Sequence, residues 1–136
     1  MEGYREGVNE AGGEFLDNET QYANATADLA VTAMEGIMSK YPEGVAIICS
    51  NNDDMALAAA RTAKDNPNYA KTIFLGFDGQ KSAVEAVLNG ELTMTAAQNN
   101  FDIGYKAVET IVKILNGEEF FNDTATTEIY TLSLHD

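Results

Sequence analysis

The sequence predicts an α/β fold, a three-layer sandwich in which helices cover a mostly parallel sheet. Three observations carry this reading. Short apolar runs recur at Val45-Ala46-Ile47-Ile48-Cys49, Thr72-Ile73-Phe74-Leu75-Gly76 and Thr93-Met94-Thr95-Ala96-Ala97. Runs of this length, bounded by turn residues, read as buried strands. Each is followed by a longer segment with helical spacing, and strands alternating with helices in this way indicate parallel βαβ units with right-handed crossovers.

In chain order, Met1 to Ala11 reads as a short helix closed by Gly12-Gly13. Glu14-Phe15-Leu16-Asp17 reads as a short strand, and Asn18 to Ala23 as a polar loop carrying Tyr22. Asn24 to Lys40 is a helix with Leu29, Ala30, Ala33, Ile37 and Met38 on one face. Tyr41-Pro42-Glu43-Gly44 ends it and turns into the strand Val45 to Cys49. An alanine-rich helix follows Asn52 and runs to Lys64, where Asp65-Asn66-Pro67-Asn68 breaks it. After the strand Thr72 to Gly76, a helix covers Ser82 to Leu88 and stops at Asn89-Gly90. The strand Thr93 to Ala97 leads to a long helix, Asp102 to Leu115, which ends at Asn116-Gly117.

Residues 1–117 form the predicted domain. From Glu118 the chain changes character, through Asp123-Thr124-Ala125-Thr126-Thr127-Glu128 and then Ile129 to Leu134. This segment resembles the translated product of sequencing-adapter read-through, so residues 118–136 are expected to be a non-native tail. A terminal strand over Ile129 to Leu134 is the alternative that its alternation allows.

Composition narrows the function classes. The chain has 136 residues and is 45% hydrophobic, enough for a packed core. Eight lysines and arginines against 22 aspartates and glutamates give a net charge of −14. That balance argues against nucleic acid and anionic membrane surfaces, which are bound by clustered positive charge. No apolar run is long enough for membrane insertion. The single cysteine, Cys49, falls within a predicted strand and excludes an internal disulfide, and the single histidine, His135, has no local partner. No Gly-rich phosphate loop and no nucleophile with a paired base is present, so neither a cofactor nor an enzymatic activity is expected. An enzyme using Asp53, Asp54 and Asp78 as acids, bases or metal ligands is the weakest of the functional readings.

The most informative stretch is Ser50-Asn51-Asn52-Asp53-Asp54-Met55-Ala56-Leu57-Ala58, polar residues placed where a strand ends and a helix begins. Ligands of open α/β sheets bind at the carboxyl ends of the strands. The layout recurs at Phe77-Asp78-Gly79 and at Gln98-Asn99-Asn100. A sugar needs carboxylates and amides for its hydroxyls and an aromatic face for its ring. Asn52, Asp78 and Gln98 are the polar candidates and Tyr22 the aromatic one. Each also has a purely structural reading: Asn52 or Asp53 as a helix N-cap, Asp78 in an Asx turn, Tyr22 as an ordinary amphipathic loop residue.

Taken in order, Asn51-Asn52-Asp53-Asp54-Met55-Ala56-Leu57, Leu75-Gly76-Phe77-Asp78-Gly79 and Gly90-Glu91-Leu92-Thr93-Met94-Thr95-Ala96-Ala97-Gln98 resemble the periplasmic sugar-binding proteins of ABC importers, of the ribose and galactose/glucose type. The resemblance covers roughly Met1 to Gly117. It implies one lobe of a two-lobed protein that closes on a monosaccharide by hinge bending. It also implies a membrane permease as partner and a periplasmic or lipid-anchored location. By the same resemblance Asn52 and Asp78 contact sugar hydroxyls, Gln98 binds at the hinge and Tyr22 stacks on the ring, where tryptophan or phenylalanine is usual. It places the helix 102–115 on the other lobe, so its face of Ile103, Ala107, Val108, Ile111 and Leu115 is expected to lack its native sheet. The family's ligand-binding arginine falls just before Met1, Arg5 does not inherit its role, and a fragment is expected. The alternative is the effector domain of a lactose-repressor-type regulator, which resembles these proteins in fold; Gly79 leans towards transport, since the repressors more often carry a second aspartate there.

Overall fold

In the computed structural model, which describes Glu2–Glu118, the three apolar runs lie side by side as a parallel sheet. The chain divides into two compact units, Met1–Gln98 and Asn99–Asp136. The first contains helix α1 (Glu2–Glu10), a 3-10 turn at Asp17–Glu19, α2 (Ala27–Lys40), strand β1 (Ile47–Cys49), α3 (Asp53–Ala63), a second 3-10 turn at Pro67–Tyr69, β2 (Ile73–Asp78), α4 (Lys81–Leu88) and β3 (Met94–Ala97). The strand order among the described residues is β1-β2-β3. Register is set by Ile47 opposite Ile73 and by Leu75 opposite Met94.

The core lies between this sheet and α2, α3 and α4. Helix α3 presents Ala56, Leu57, Ala59, Ala60 and Ala63 inward, and these small side chains let it pack closely on both β2 and α2. Met34 of α2 and Phe74 of β2 fill the space they leave, and Met34 is 1% exposed. Tyr69 enters the same core and donates its hydroxyl to Tyr41 O at 2.7 Å, which satisfies its polar end. The side-chain alternation of β2 divides the sheet into unequal faces. Phe74 and Gly76 are buried on the covered face, whereas Ile47, Ile73, Phe77 and Met94 on the other are each more than a third exposed.

One expected element does not form. Glu14-Phe15-Leu16-Asp17 is not a strand: its backbone leads into the 3-10 turn, which Glu19 N closes on Leu16 O at 2.9 Å. A strand needs a neighbour to pair its main-chain groups, and no described strand lies beside this segment.

The second unit is described through helix α5 (Asn100–Leu115). Asn99 caps it, its Oδ1 accepting from Asp102 N at 3.2 Å. The helix has no buried residue, and Phe101, Tyr105, Val108, Ile111 and Leu115 are each more than half exposed. Residues 119–136 of the expected non-native tail, with the alternative terminal strand over Ile129 to Leu134 and His135, lie outside the described residues.

Met34 is the largest apolar side chain wholly enclosed by this core. Met34→Ala is expected to destabilise the domain by about 2–5 kcal/mol, read as a shift in urea midpoint, since the rigid alanine-rich surround cannot collapse into the space.

Candidate functional site

The three strand tips are built in different ways. After β1 the backbone of Asn52 is extended (φ −149°, ψ 167°), and its side-chain Oδ1 accepts from Met55 N at 2.8 Å as the N-cap of α3. Its Nδ2 donates to Ala25 O at 3.2 Å. That bond holds a loop in which Asn24 and Ala25 both have positive φ, 45° and 58°. Of the two residues expected as possible caps, Asn52 is therefore the cap and Asp53 is not.

Asp53, the first residue of α3, is 0% exposed. Its Oδ2 accepts from the main-chain N of Gln80 at 2.8 Å, which ties the start of α3 to the turn between β2 and α4. Its Oδ1 lies against Gly76 and has no hydrogen-bond partner among the described residues. A Cβ at Gly76 would stand 2.3 Å from that oxygen, so only glycine fits there. Tyr4 of α1 reaches the same corner and donates its hydroxyl to Ser50 O at 3.0 Å. Burial pushes the Tyr4 phenol above its usual value, and Cys49 and the Asp53 carboxylate push it further in the same direction.

At the tip of β2, Asp78 has φ +117°, a conformation that costs a non-glycine residue of order 1–3 kcal/mol. Three bonds hold it there. Its main-chain O accepts from Gln98 N at 3.2 Å, its Oδ1 accepts from Gln98 Nε2 at 2.5 Å, and the neighbouring Gly79 N donates to Thr95 Oγ1 at 3.1 Å. Gly79 also has positive φ, and a Cβ there would meet that of Ala97 at 2.5 Å.

The structure thus brings Asp78 and Gln98 into direct contact. It commits the Asn52 amide to α3 and to Ala25, with one Nδ2 hydrogen and an Oδ1 lone pair left over. Tyr22 is 88% exposed and lines a groove of about 600 Å³ beside β1, a groove that includes none of Asn52, Asp78 and Gln98. Arg5 is paired with Asp17 and lies over the Phe15 ring at 5.8 Å. Sequence reasoning missed Asp53 as the buried tie. Its signal was a run of four amides and carboxylates before one helix, of which only one can cap, together with a glycine inside an otherwise apolar strand.

The carboxylate and amide paired across the tips of β2 and β3 lie at the carboxyl edge of the parallel sheet, where open α/β folds place their ligand crevices. The chain belongs to the family described as periplasmic binding protein domain, whose model matches residues 1–119. It is 33% identical over 118 residues to the ribose import binding protein RbsB of Salmonella typhimurium, a match spanning 87% of this chain and 38% of that protein. An ABC transporter periplasmic solute-binding protein from Actinobacillus succinogenes, solved with bound D-allose, superimposes with a TM-score of 0.64 at 27% identity, over 74% of this chain and 36% of that one. A LacI family transcriptional regulator from Arthrobacter sp. FB24 shares the fold, with a TM-score of 0.66 at 23% identity over 89% of this chain and 43% of its own. The chain therefore spans about two-fifths of the length of the proteins it matches.

Asp53→Ala is expected to lower stability by about 1–3 kcal/mol, because it leaves the buried Gln80 N–H without its acceptor. Asp53→Asn keeps an acceptor at that position and is expected to lose less. Urea midpoints of the two variants check the order, and equal losses would exclude the Gln80 bond as the reason Asp53 is buried.

Proposed function

We propose that this chain is part of the substrate-binding component of an ABC sugar importer and that it holds a monosaccharide at the tips of β2 and β3. The observation that carries the reading is the Asp78–Gln98 pair, presented from a strained turn at the carboxyl edge of a parallel sheet. An ionised carboxylate offers about four acceptor positions, and Gln98 uses one, so the others remain for sugar hydroxyls. Charge-assisted bonds of this kind are about twice as strong as neutral ones. Gln98 keeps a second Nε2 hydrogen and its Oε1, which suits a hydroxyl that both donates and accepts.

In this reading Asn52 adds its remaining donor and Tyr22 the ring face. The matched relatives are import and solute-binding proteins, which supports a periplasmic or cell-surface location and a membrane permease as partner. Helix α5, with its exposed apolar stripe, fits the expectation that it packs on a second lobe outside these residues. Binding without turnover is the reading that the relatives, named as import and solute-binding proteins, support. The regulator reading rests on a likeness of fold, and Gly79 weighs against it.

Calorimetric titration of the full-length protein with a panel of pentoses and hexoses tests this. One sugar is expected to bind unchanged, and Asp78→Ala is expected to weaken it by about 1.5–3 kcal/mol, or roughly 10- to 150-fold. Turnover of the sugar, or sugar-dependent binding of the full-length protein to operator DNA, would sink the transport reading.

A further inference from the structure

Asp53 does more than its own helix requires. Asn52 already caps α3, so the Asp53 carboxylate is not needed for that purpose. Helix α4, by contrast, starts without a cap of its own: Gln80 makes no side-chain cap bond, and the first turn carries no acidic residue. Asp53 supplies what α4 lacks. Its Oδ2 accepts from the main-chain N of Gln80, the task that a carboxylate performs in a capping box, here carried out from a neighbouring helix. The arrangement breaks two local rules at one spot. A carboxylate is buried with one oxygen unpartnered among the described residues, and a glycine interrupts an apolar strand to make room for it. Replacing a buried charge by apolar side chains often stabilises a protein, so stability alone is a weak reason for Asp53. Departures of this kind gather where a fold serves a site.

We infer that Asp53 is a positioning residue for the Asp78 carboxylate, acting through the Gln80 N–H; the inference rests on the sugar-binding reading of the Asp78–Gln98 pair. Asp78, Gly79 and Gln80 are consecutive, and each is held from outside the turn. Gln98 and Thr95 hold the first two from the β3 side, and Asp53 holds the third from α3. The φ of +117° at Asp78 lasts only while both sides are held. Without the α3 side the turn is free to relax towards negative φ, which swings the carboxylate away from its place at the strand tip. Asp53 itself is 0% exposed, so its effect on affinity passes through the turn and not through contact with a sugar.

Calorimetric titration of the full-length protein with pentoses and hexoses, D-ribose and D-allose among them, tests this in a double-mutant cycle. Asp53→Ala is expected to weaken the sugar that binds by about tenfold, and to weaken it no further once Asp78→Ala is present. Asp53→Asn, which keeps an acceptor for the Gln80 N–H, is expected to restore most of the affinity. Gly76→Ala, whose Cβ would displace the carboxylate, is expected to behave like Asp53→Ala and replaces it in the cycle if that variant does not fold. Exchange of the Gln80 amide is expected to quicken in Asp53→Ala and Gly76→Ala and to stay slow in Asp53→Asn. A structural role alone would lower the urea midpoint of Asp53→Ala and leave the affinity of the folded protein unchanged, which would overturn the inference. Equal losses in Asp53→Ala and Asp53→Asn, or losses that add to that of Asp78→Ala, would overturn it too. If the unmodified protein binds no sugar, the reading of the site fails and the inference with it. Binding that Asp78→Ala weakens and Asp53→Ala does not refutes the positioning role alone.

Discussion

The domain is organised around a carboxylate that water does not reach. Burying Asp53 is unfavourable unless hydrogen bonds and fixed dipoles offset it, and two features of the fold do so in part, through Oδ2 and the helix end. Its position at the first residue of α3 sets it in the positive end of the helix dipole, and Gln80 N–H donates to Oδ2. The second bond has a structural consequence. Gln80 follows Asp78-Gly79, so the anchor of α3 is also the anchor of the turn that carries Asp78. Gly76 is the third partner, since a side chain there would occupy the space of Oδ1. A buried charge, a glycine in the middle of a strand and a strained aspartate at its end are thus parts of one arrangement.

That arrangement explains how Asp78 keeps a positive φ. Such a conformation persists only where its surroundings over-determine it. Here β3 supplies the second set of constraints. Gln98 binds both the main chain and the side chain of Asp78, and Thr95 holds Gly79 from the neighbouring strand. The carboxylate is thus held in place from both sides by the protein's own groups. On the proposed sugar-binding reading, preorganisation of this kind would spare the ligand the entropy of ordering these side chains.

The strands β1 to β3 and the helices between them were legible in the sequence because apolar runs, helical spacing and Gly/Pro/Asn breaks agreed at each boundary. That Asp78 and Gln98 share an edge was legible for a related reason, since both close a predicted strand and parallel strands in one sheet end on one edge; their direct bond was not. The division of labour within Asn51-Asn52-Asp53-Asp54 was not legible. Cap and buried tie draw on the same residue types, and only the position of the Gln80 N–H, set by tertiary packing, separates them. The segment 14–17 shows a different limit. Its composition suits a strand, yet strand formation depends on a neighbour that local sequence does not specify. Tyr22 has the residue type of a stacking platform, but whether its face meets anything depends on what closes over an 88% exposed ring.

Helix α1 and the strand tips are mechanically connected through Tyr4. Its hydroxyl donates to Ser50 O, three residues before the buried Asp53, and burial at this corner pushes its phenol above the usual value. Whatever fixes α1 therefore also fixes the Ser50–Asp53 turn, and through Gln80 N–H it reaches the Asp78 turn.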